Sequence, residues 1–320
     1  MAPIPYTVHT TPPPSTLSYL IGCVQSTAFA STYLFTLPYS IYSIYSLYNK
    51  APLPALPFML SCVFPAIHSP WFTKTFLGPM CGYFNYSEVR ETSDEELSAH
   101  FKTGKSYILA AQPHGVISFC GMCSANYCID EFRQIKTAAA SVVTKVPILK
   151  HVMGVFGLID ASSKSLKRHL KKKGASGSVV IYIGGIAELF KSSRKEERLY
   201  LSKRKGFIKL ALTSGTDILP LYLLGNTSTL TVVKAGPLAT LSRKMGVSIT
   251  YFWGLWNTPI PRPDQMVYVR GRPLGMPQID EPTQEDIDKW HKKYCEEVER
   301  LFETYKGSCT GYKNKRFYID

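Results

Sequence analysis

The residues of this chain best suited to chemistry stand on three short stretches. The first is Gln112-Pro113-His114-Gly115, a proline–glycine corner between two apolar runs. A histidine there can serve as a general base, because an unperturbed imidazole titrates near neutrality. Pro113 fixes one backbone angle, and Gly115 lets a substrate or another backbone approach with no side chain between. A lone histidine on a turn serves structure as readily, so the other stretches decide what it means. In the second, S-G-S-V-V-I-Y-I-G-G-I-A-E-L-F, an apolar strand runs into Gly184 and Gly185. Two glycines at a strand end can present backbone N–H groups to an oxyanion or a phosphate. Glu188, just beyond them, could hold the second ring nitrogen of His114 and fix its tautomer. A tight turn and a helix-start acid would use the same residues. In the third, Lys203, Arg204 and Lys205 directly precede a helix that opens at Gly206 and Phe207. Basic side chains beside free helix N–H groups suit a phosphorylated ligand, and a solvated basic face is the other reading.

Those stretches need a frame to bring them together. Apolar, β-rich runs occupy residues 106–111, 136–143, 178–183, 218–224, 230–233 and 266–269. Helical patterns fill residues 116–129, 147–156, 163–173 and 206–213, the last closed by Gly215. Strands alternating with helices of this length predict an α/β fold with a largely parallel central sheet flanked by helices. His114 then falls just past the carboxyl end of a strand, where such sheets build their sites. Ser93 opens a short capped helix with Glu96 in the box position, and the stretch from Thr283 to Gly307 is a long amphipathic C-terminal helix.

Charge divides the chain. Its net charge is +14, yet before Glu88 the only charged residues are Lys50 and Lys74. The remainder carries 35 Lys/Arg against 23 Asp/Glu, a net +12. The charge-free run from Leu17 to Leu37 would reach roughly 30 Å as a helix, about the thickness of a bilayer core. After Pro38 a tyrosine-rich stretch suits a membrane interface, and residues 53–67, broken by Pro54, Pro57 and Pro65, suit a re-entrant or interfacial segment. Prolines stand where a signal peptide would carry its basic region, and no arginine precedes Arg90 as a transit peptide would need. The expected organisation is a disordered Pro/Thr-rich leader at 1–16, a hydrophobic membrane-anchoring region at 17–87, and an α/β domain at 88–320. A core helix diluted by serines and threonines is the alternative for the apolar run.

The eight cysteines form no disulfide framework in a chain this long, and Cys120-x-x-Cys123 with Cys128 lacks the second ligand pair that a zinc site needs. No metal is expected. The basic run at 164–173 suits anionic lipid headgroups, and without aromatic stacking residues it gives nucleic-acid binding little support.

The three stretches together resemble the type-2 diacylglycerol acyltransferase family, which includes monoacylglycerol and wax-alcohol acyltransferases. The family's H-P-H-G motif is matched by Gln112-Pro113-His114-Gly115. Its G-G-x-x-E strand end is matched by Gly184, Gly185 and Glu188, and its R-K-G-F-x-K-L-A-L block by residues 204–212. The likeness covers residues 106–307. It departs at Gln112, which replaces the family's first histidine. The more distant H-x-x-x-x-D glycerolipid acyltransferases carry aspartate where Phe119 stands, which leaves Glu188 as the orienting carboxylate.

The resemblance implies a glycerolipid-acyltransferase-like fold and an acyl-CoA-dependent transfer to a neutral-lipid hydroxyl, diacylglycerol giving triacylglycerol. It implies His114 as base and Glu188 as its support. Backbone N–H groups of Gly115, Gly184 or Gly185 would meet the oxyanion, and Arg204, Lys205, Gly206 and Phe207 would hold acyl-CoA, with Gln112 and Pro113 shaping the turn. Acyl-CoA is then a co-substrate, and no cofactor is needed. Expected partners are acyl-CoA, diacylglycerol and membrane lipids, with a homo-oligomer left open and no nucleic acid. The family also implies the endoplasmic reticulum membrane and lipid droplets, with the catalytic domain facing the cytosol. Monoacylglycerol or a long-chain alcohol as acceptor stays open, as does a non-catalytic lipid-binding or droplet-coating protein.

Overall fold

A computed structural model describes residues 6–191, 193–236, 240 and 251–320. Its strands are β1 (Thr7–Thr10), β2 (Ser87–Arg90), β3 (Tyr107–Gln112), β4 (Lys136–Ala139), β5 (Leu158–Asp160), β6 (Val179–Tyr182), β7 (Glu196–Leu199), β8 (Asp217–Leu224), β9 (Thr231–Val232), β10 (Phe252–Trp253), β11 (Val267–Arg270) and β12 (Arg316–Ile319). Eight of them form one sheet in the order β1-β2-β11-β8-β3-β6-β4-β5. From β8 to β5 every neighbouring pair is parallel, and β11 joins β8 antiparallel. The α/β fold with a largely parallel sheet is therefore as expected.

Alternation along the strands divides the core. Leu109, Ala111, Leu219, Leu221 and Leu223 point to one face, where they meet Met80, Phe84, Phe119 and Met122. Ile108, Ala110, Ile218 and Leu224 point to the other. There they meet α9 (Ser163–Leu170), α11 (Gly206–Ser214) and the C-terminal helix α12 (Gln284–Tyr305). The first face is covered by α1 (Thr16–Tyr48), α4 (Gly78–Tyr83), α5 (Asp94–Lys102) and α6 (Phe119–Tyr127). Thr283 and Asp286 close a full capping box on α12, and Ser93 accepts the Glu96 N–H at 3.1 Å.

The first helix departs from expectation at Pro38. It runs 33 residues without stopping there, about 50 Å at 1.5 Å per residue. The Ser40 and Ser43 hydroxyls donate back to Thr36 and Tyr39, and Tyr39 Oη reaches the Pro54 carbonyl at 2.8 Å. Apart from Phe29 its inward stripe is small and polar: Gly22, Ser26, Ala30, Thr36, Ser43 and Ser46 are buried, while Leu17, Val24, Phe35 and Ile41 are exposed. A Cβ on Gly22 would lie 2.2 Å from the Pro79 carbonyl oxygen, so this glycine sets the approach of α1 to α4. Among the described residues α1 is the one helix long and apolar enough to cross a membrane. The prolines of residues 53–67 sit where helices tolerate them, Pro57 opening α2 (Leu56–Val63), followed by α3 (Pro70–Phe76).

The expected boundaries do not coincide with structural ones. The leader expected to be disordered contains β1, which pairs antiparallel with β2, and Thr11 donates to the Tyr86 carbonyl at 3.0 Å. Exposed β-branched residues gain an edge ladder there. Residues 77–86, assigned to the membrane region, belong to the core, with Leu77, Met80, Cys81, Phe84 and Tyr86 almost wholly buried. The strand expected over 136–143 stops at Ala139, because its neighbour β5 is only three residues long. Ser141 then bonds Asp160 and opens the short helix α7 (Ser141–Lys145). Two further short helices are α8 (Leu149–Gly154) and α10 (Ile186–Leu189).

Candidate active site

Strand β3 delivers the corner to the carboxyl edge of the sheet. Gln112 ends it in register with Tyr222, and the bond to Pro113 is cis. Gln112 is fully buried, both its amide atoms have no hydrogen-bond partner among the described residues, and it lies on neither cavity described below. His114 follows, half-buried, on the wall of a cavity of about 870 Å³. That cavity is walled mainly by apolar side chains, among them Ile117, Val143, Phe156, Leu158, Ile186 and Phe252.

The ring of His114 is held on two sides. Its Nδ1 lies 2.9 Å from the Gly115 carbonyl oxygen. A carbonyl can only accept, so this bond assigns the proton to Nδ1 and leaves the lone pair on Nε2. Its edge packs on the Tyr182 ring, centroids 5.0 Å apart at 70°. Burial lowers its pKa while the Gly115 carbonyl pulls it up, so the imidazole is neutral at neutral pH. Gly115 has φ +65°, and a Cβ there would meet the Asn226 carbonyl oxygen at 2.7 Å. Only glycine satisfies both demands.

Glu188 is near His114, but not on its ring as expected. Its Oε2 accepts the His114 backbone N–H at 2.9 Å, and its Oε1 accepts the Tyr200 N–H at 3.3 Å. The ring nitrogen is already taken by the adjacent carbonyl, so the carboxyl ties the corner to the segment after β7. Burial pushes its pKa up to about 7, against the pull of those two N–H groups, and Glu197 adds to the rise. The two glycines before it have separate parts. A Cβ on Gly184 would lie 2.0 Å from the Glu188 carboxyl carbon, so this glycine makes room for the side chain. Gly185, at φ +56°, lines the cavity.

The basic block is split. Arg204 lines the cavity, donates to the Gly184 carbonyl at 3.3 Å and lies over the Tyr200 ring. Lys205 instead pairs with Asp288 of α12 at 2.7 Å and does not line the cavity. Gly206 is the first residue of α11, and Phe207 is buried against Tyr294 at 4.8 Å between centroids. Neither belongs to the cavity wall, because α11 turns that face toward α12. The exposed cations of the run at 164–173 lie on α9 and the turn after it.

Two site residues escaped the sequence reading. Asn226 is fully buried, and its Nδ2 donates to the Pro113 carbonyl (3.1 Å) and the His114 carbonyl (2.6 Å). Its Oδ1 accepts the Cys120 N–H at 3.2 Å. The available signal was position: it follows β8, the strand beside β3, at the same carboxyl edge. Tyr182, at the end of β6, lines the cavity, and burial pushes its pKa up to about 12.

A neutral histidine thus stands over an apolar cavity at the carboxyl edge of a parallel sheet, the place where α/β enzymes build their sites. The model of the family described as diacylglycerol acyltransferase matches residues 68–318. The chain is 31% identical over 232 residues to diacylglycerol O-acyltransferase 2 of Dictyostelium discoideum, covering 67% of this chain and 70% of that protein. It is 30% identical over 232 residues to 2-acylglycerol O-acyltransferase 3 of Homo sapiens, covering 66% and 68%. Against human diacylglycerol O-acyltransferase 2 the identity is 27%, over 64% of this chain and 58% of that protein. Among solved structures, the 1-acyl-sn-glycerophosphate (LPA) acyltransferase of Thermotoga maritima aligns with TM-score 0.42 and 11% identity, over 89% of this chain and 97% of that one. The chain belongs to the diacylglycerol acyltransferase family, and is an enzyme of the acyltransferase class.

Proposed function

We propose that this chain transfers a fatty acyl group from the thioester of acyl-CoA to the hydroxyl of diacylglycerol. The observation that carries the reading is the neutral His114, its Nδ1 tied to Gly115, on the wall of the apolar cavity. Nε2 takes the proton of the acceptor hydroxyl as that oxygen attacks the thioester carbonyl. The tetrahedral oxyanion is met by backbone N–H groups at the cavity wall, Gly185 being the glycine of its pair placed there. The C–S bond then breaks, and the imidazolium returns its proton to the departing CoA thiolate. Glu188 acts as a positioning residue through the His114 backbone, and Arg204 takes a phosphate of CoA at the mouth.

Exposed apolar side chains on α1 and α2, with Trp71 beside them, seat the chain in a membrane, where water-insoluble acceptors reach the cavity. In this reading the membrane is that of the endoplasmic reticulum, extending to lipid droplets, with the catalytic domain on the cytosolic side. The identity to a 2-acylglycerol O-acyltransferase favours monoacylglycerol as the second acceptor to consider. The test is labelled acyl-CoA with membranes from a host that lacks its own neutral-lipid acyltransferases, offered diacylglycerol, monoacylglycerol and a long-chain alcohol. Labelled triacylglycerol is expected. Label in another ester alone reassigns the acceptor, and acyl-CoA binding with no ester formed would make the chain a non-catalytic lipid-binding relative.

A further inference from the structure

Beside the catalytic cavity lies a smaller one, of about 110 Å³. Four residues line both: Gly121, Thr137, Phe156 and Tyr182. The partition is tight, since a Cβ on Gly121 would lie 2.1 Å from the Tyr182 hydroxyl. The same Tyr182 ring packs on His114, so one of the shared wall residues touches the reacting centre directly.

One wall of this space is polar by construction. β2 and β11 run parallel with Glu88 beside Tyr268 and Arg90 beside Arg270, while the alternate residues Val89, Val267 and Val269 face the other core. The charges in this row are already matched. Glu88 accepts from Tyr86 (2.6 Å) and Arg90 (2.7 Å), and Asp94 pairs with both Arg90 and Arg270. Arg133 donates to the carbonyls of Ala125, Asn126 and Cys128 at the end of α6 and lies 3.3 Å from Asp130. Among the described residues two lining donors make no hydrogen bond, the Nε–H groups of Arg133 and Arg270; the first has Asp130 beside it, while the second, on a residue 2% exposed, has no carboxylate of its own. A buried charged donor without an acceptor is costly. With the charges balanced, the site calls for a neutral acceptor oxygen, not an anion. The remaining wall includes Leu109, Phe156, Leu221 and Leu223, and the space exceeds what one water needs several-fold.

We propose that this second cavity receives an ester carbonyl of the acceptor lipid, with the Arg270 Nε–H as its donor and Tyr182 in the shared wall. The proposal rests on the glycerolipid-acceptor reading above. An acylglycerol carries an ester carbonyl a few bonds from its free hydroxyl, and a simple long-chain alcohol carries none. The cavity thereby selects glycerolipids by a group other than the reacting one.

The test compares diacylglycerol with the matching dialkylglycerol, which keeps the hydroxyl and both chains but lacks the carbonyls. Both are offered to the full chain in membranes, as wild type and as Ala125→Leu, which fills the small cavity from a residue outside the catalytic one. Wild type should show a KM for diacylglycerol roughly tenfold below that for the dialkylglycerol, about the worth of one hydrogen bond to a charged donor. In Ala125→Leu the two KM values should converge, with the KM for acyl-CoA unchanged. Ser124→Val, a smaller intrusion, runs in parallel in case the first variant fails to fold, and should narrow the same gap. Equal KM values in wild type, or a gap that persists in both folded variants, overturns the inference while leaving acyl transfer standing. Wild-type transfer to neither lipid overturns the glycerolipid reading and the inference with it.

Discussion

Replacing Asn226 should damage both stability and catalysis, in a way that separates its two faces. Its amide holds the corner through the carbonyls of Pro113 and His114, and its oxygen holds the first turn of α6 through the Cys120 N–H. Asn226→Ala abandons three buried backbone groups at a fully buried site. At about 1 kcal/mol for each, the loss is about 3 kcal/mol. In a domain of this size that lowers Tm by roughly 5 °C. The corner is then free to shift, and a displacement near 1 Å at a reacting group costs on the order of a hundredfold in rate. Asn226→Asp keeps the shape but turns an acceptor toward two carbonyl oxygens, so it should be worse than alanine in both respects. The measurements are Tm by intrinsic fluorescence in detergent and kcat/KM for acyl transfer. Wild-type kcat/KM in either variant, or aspartate tolerated better than alanine, would show that Asn226 does not hold the corner.

Further outcomes follow from the same geometry. Arg204→Ala should raise the KM for acyl-CoA about tenfold, and Lys205→Ala should leave it near wild type, because Lys205 is engaged with Asp288 away from the cavity; steady-state kinetics reads both. Glu188 titrates near 7 in the fold and near 4.5 otherwise. Between those values the folded chain keeps a proton that the unfolded chain has released, so this group's contribution falls as pH rises. The shift corresponds to roughly 3 kcal/mol. Denaturation at pH 4 and pH 8 should therefore show Glu188→Gln gaining about that much relative to wild type at the higher pH. Its kcat should fall most above pH 7, where the carboxylate is ionised and one amide oxygen cannot replace two carboxylate oxygens on separate N–H groups. Gly115→Ala puts a side chain at φ +65° and against the Asn226 backbone, and should cost about 2 kcal/mol by denaturation, with transfer strongly reduced.

What the chain announced before folding was what depends on local pattern. Alternating apolar runs placed β3, β6 and β8 and with them the carboxyl edge, and the corner, the glycine pair and Glu188 met there as their spacing suggested. What stayed hidden depends on which face a residue turns after packing. Phe207 and Lys205 follow Arg204 directly, yet α12 takes both, through Tyr294 and Asp288. The atom that fixes the His114 tautomer is a neighbouring carbonyl, which no side-chain pattern reports. Asn226 had no signature of its own beyond standing at the end of the adjacent strand. The run of α1 through Pro38 rests on hydroxyl-to-carbonyl bonds and on a partner at Pro54, both of which local propensity leaves out.

That a neutral His114 is the base for acyl transfer can be read from kcat/KM against pH. Wild type and His114→Ala are compared at matched expression in acyltransferase-free membranes, with labelled acyl-CoA and saturating diacylglycerol. Burial holds the His114 pKa below its ordinary value near 6.5. Wild-type kcat/KM should therefore stay high at pH 6.5 and fall only at lower pH, and His114→Ala should lose at least about a hundredfold in rate, the usual worth of a general base. A His114→Ala variant with wild-type kcat/KM and the same acid limb would contradict it.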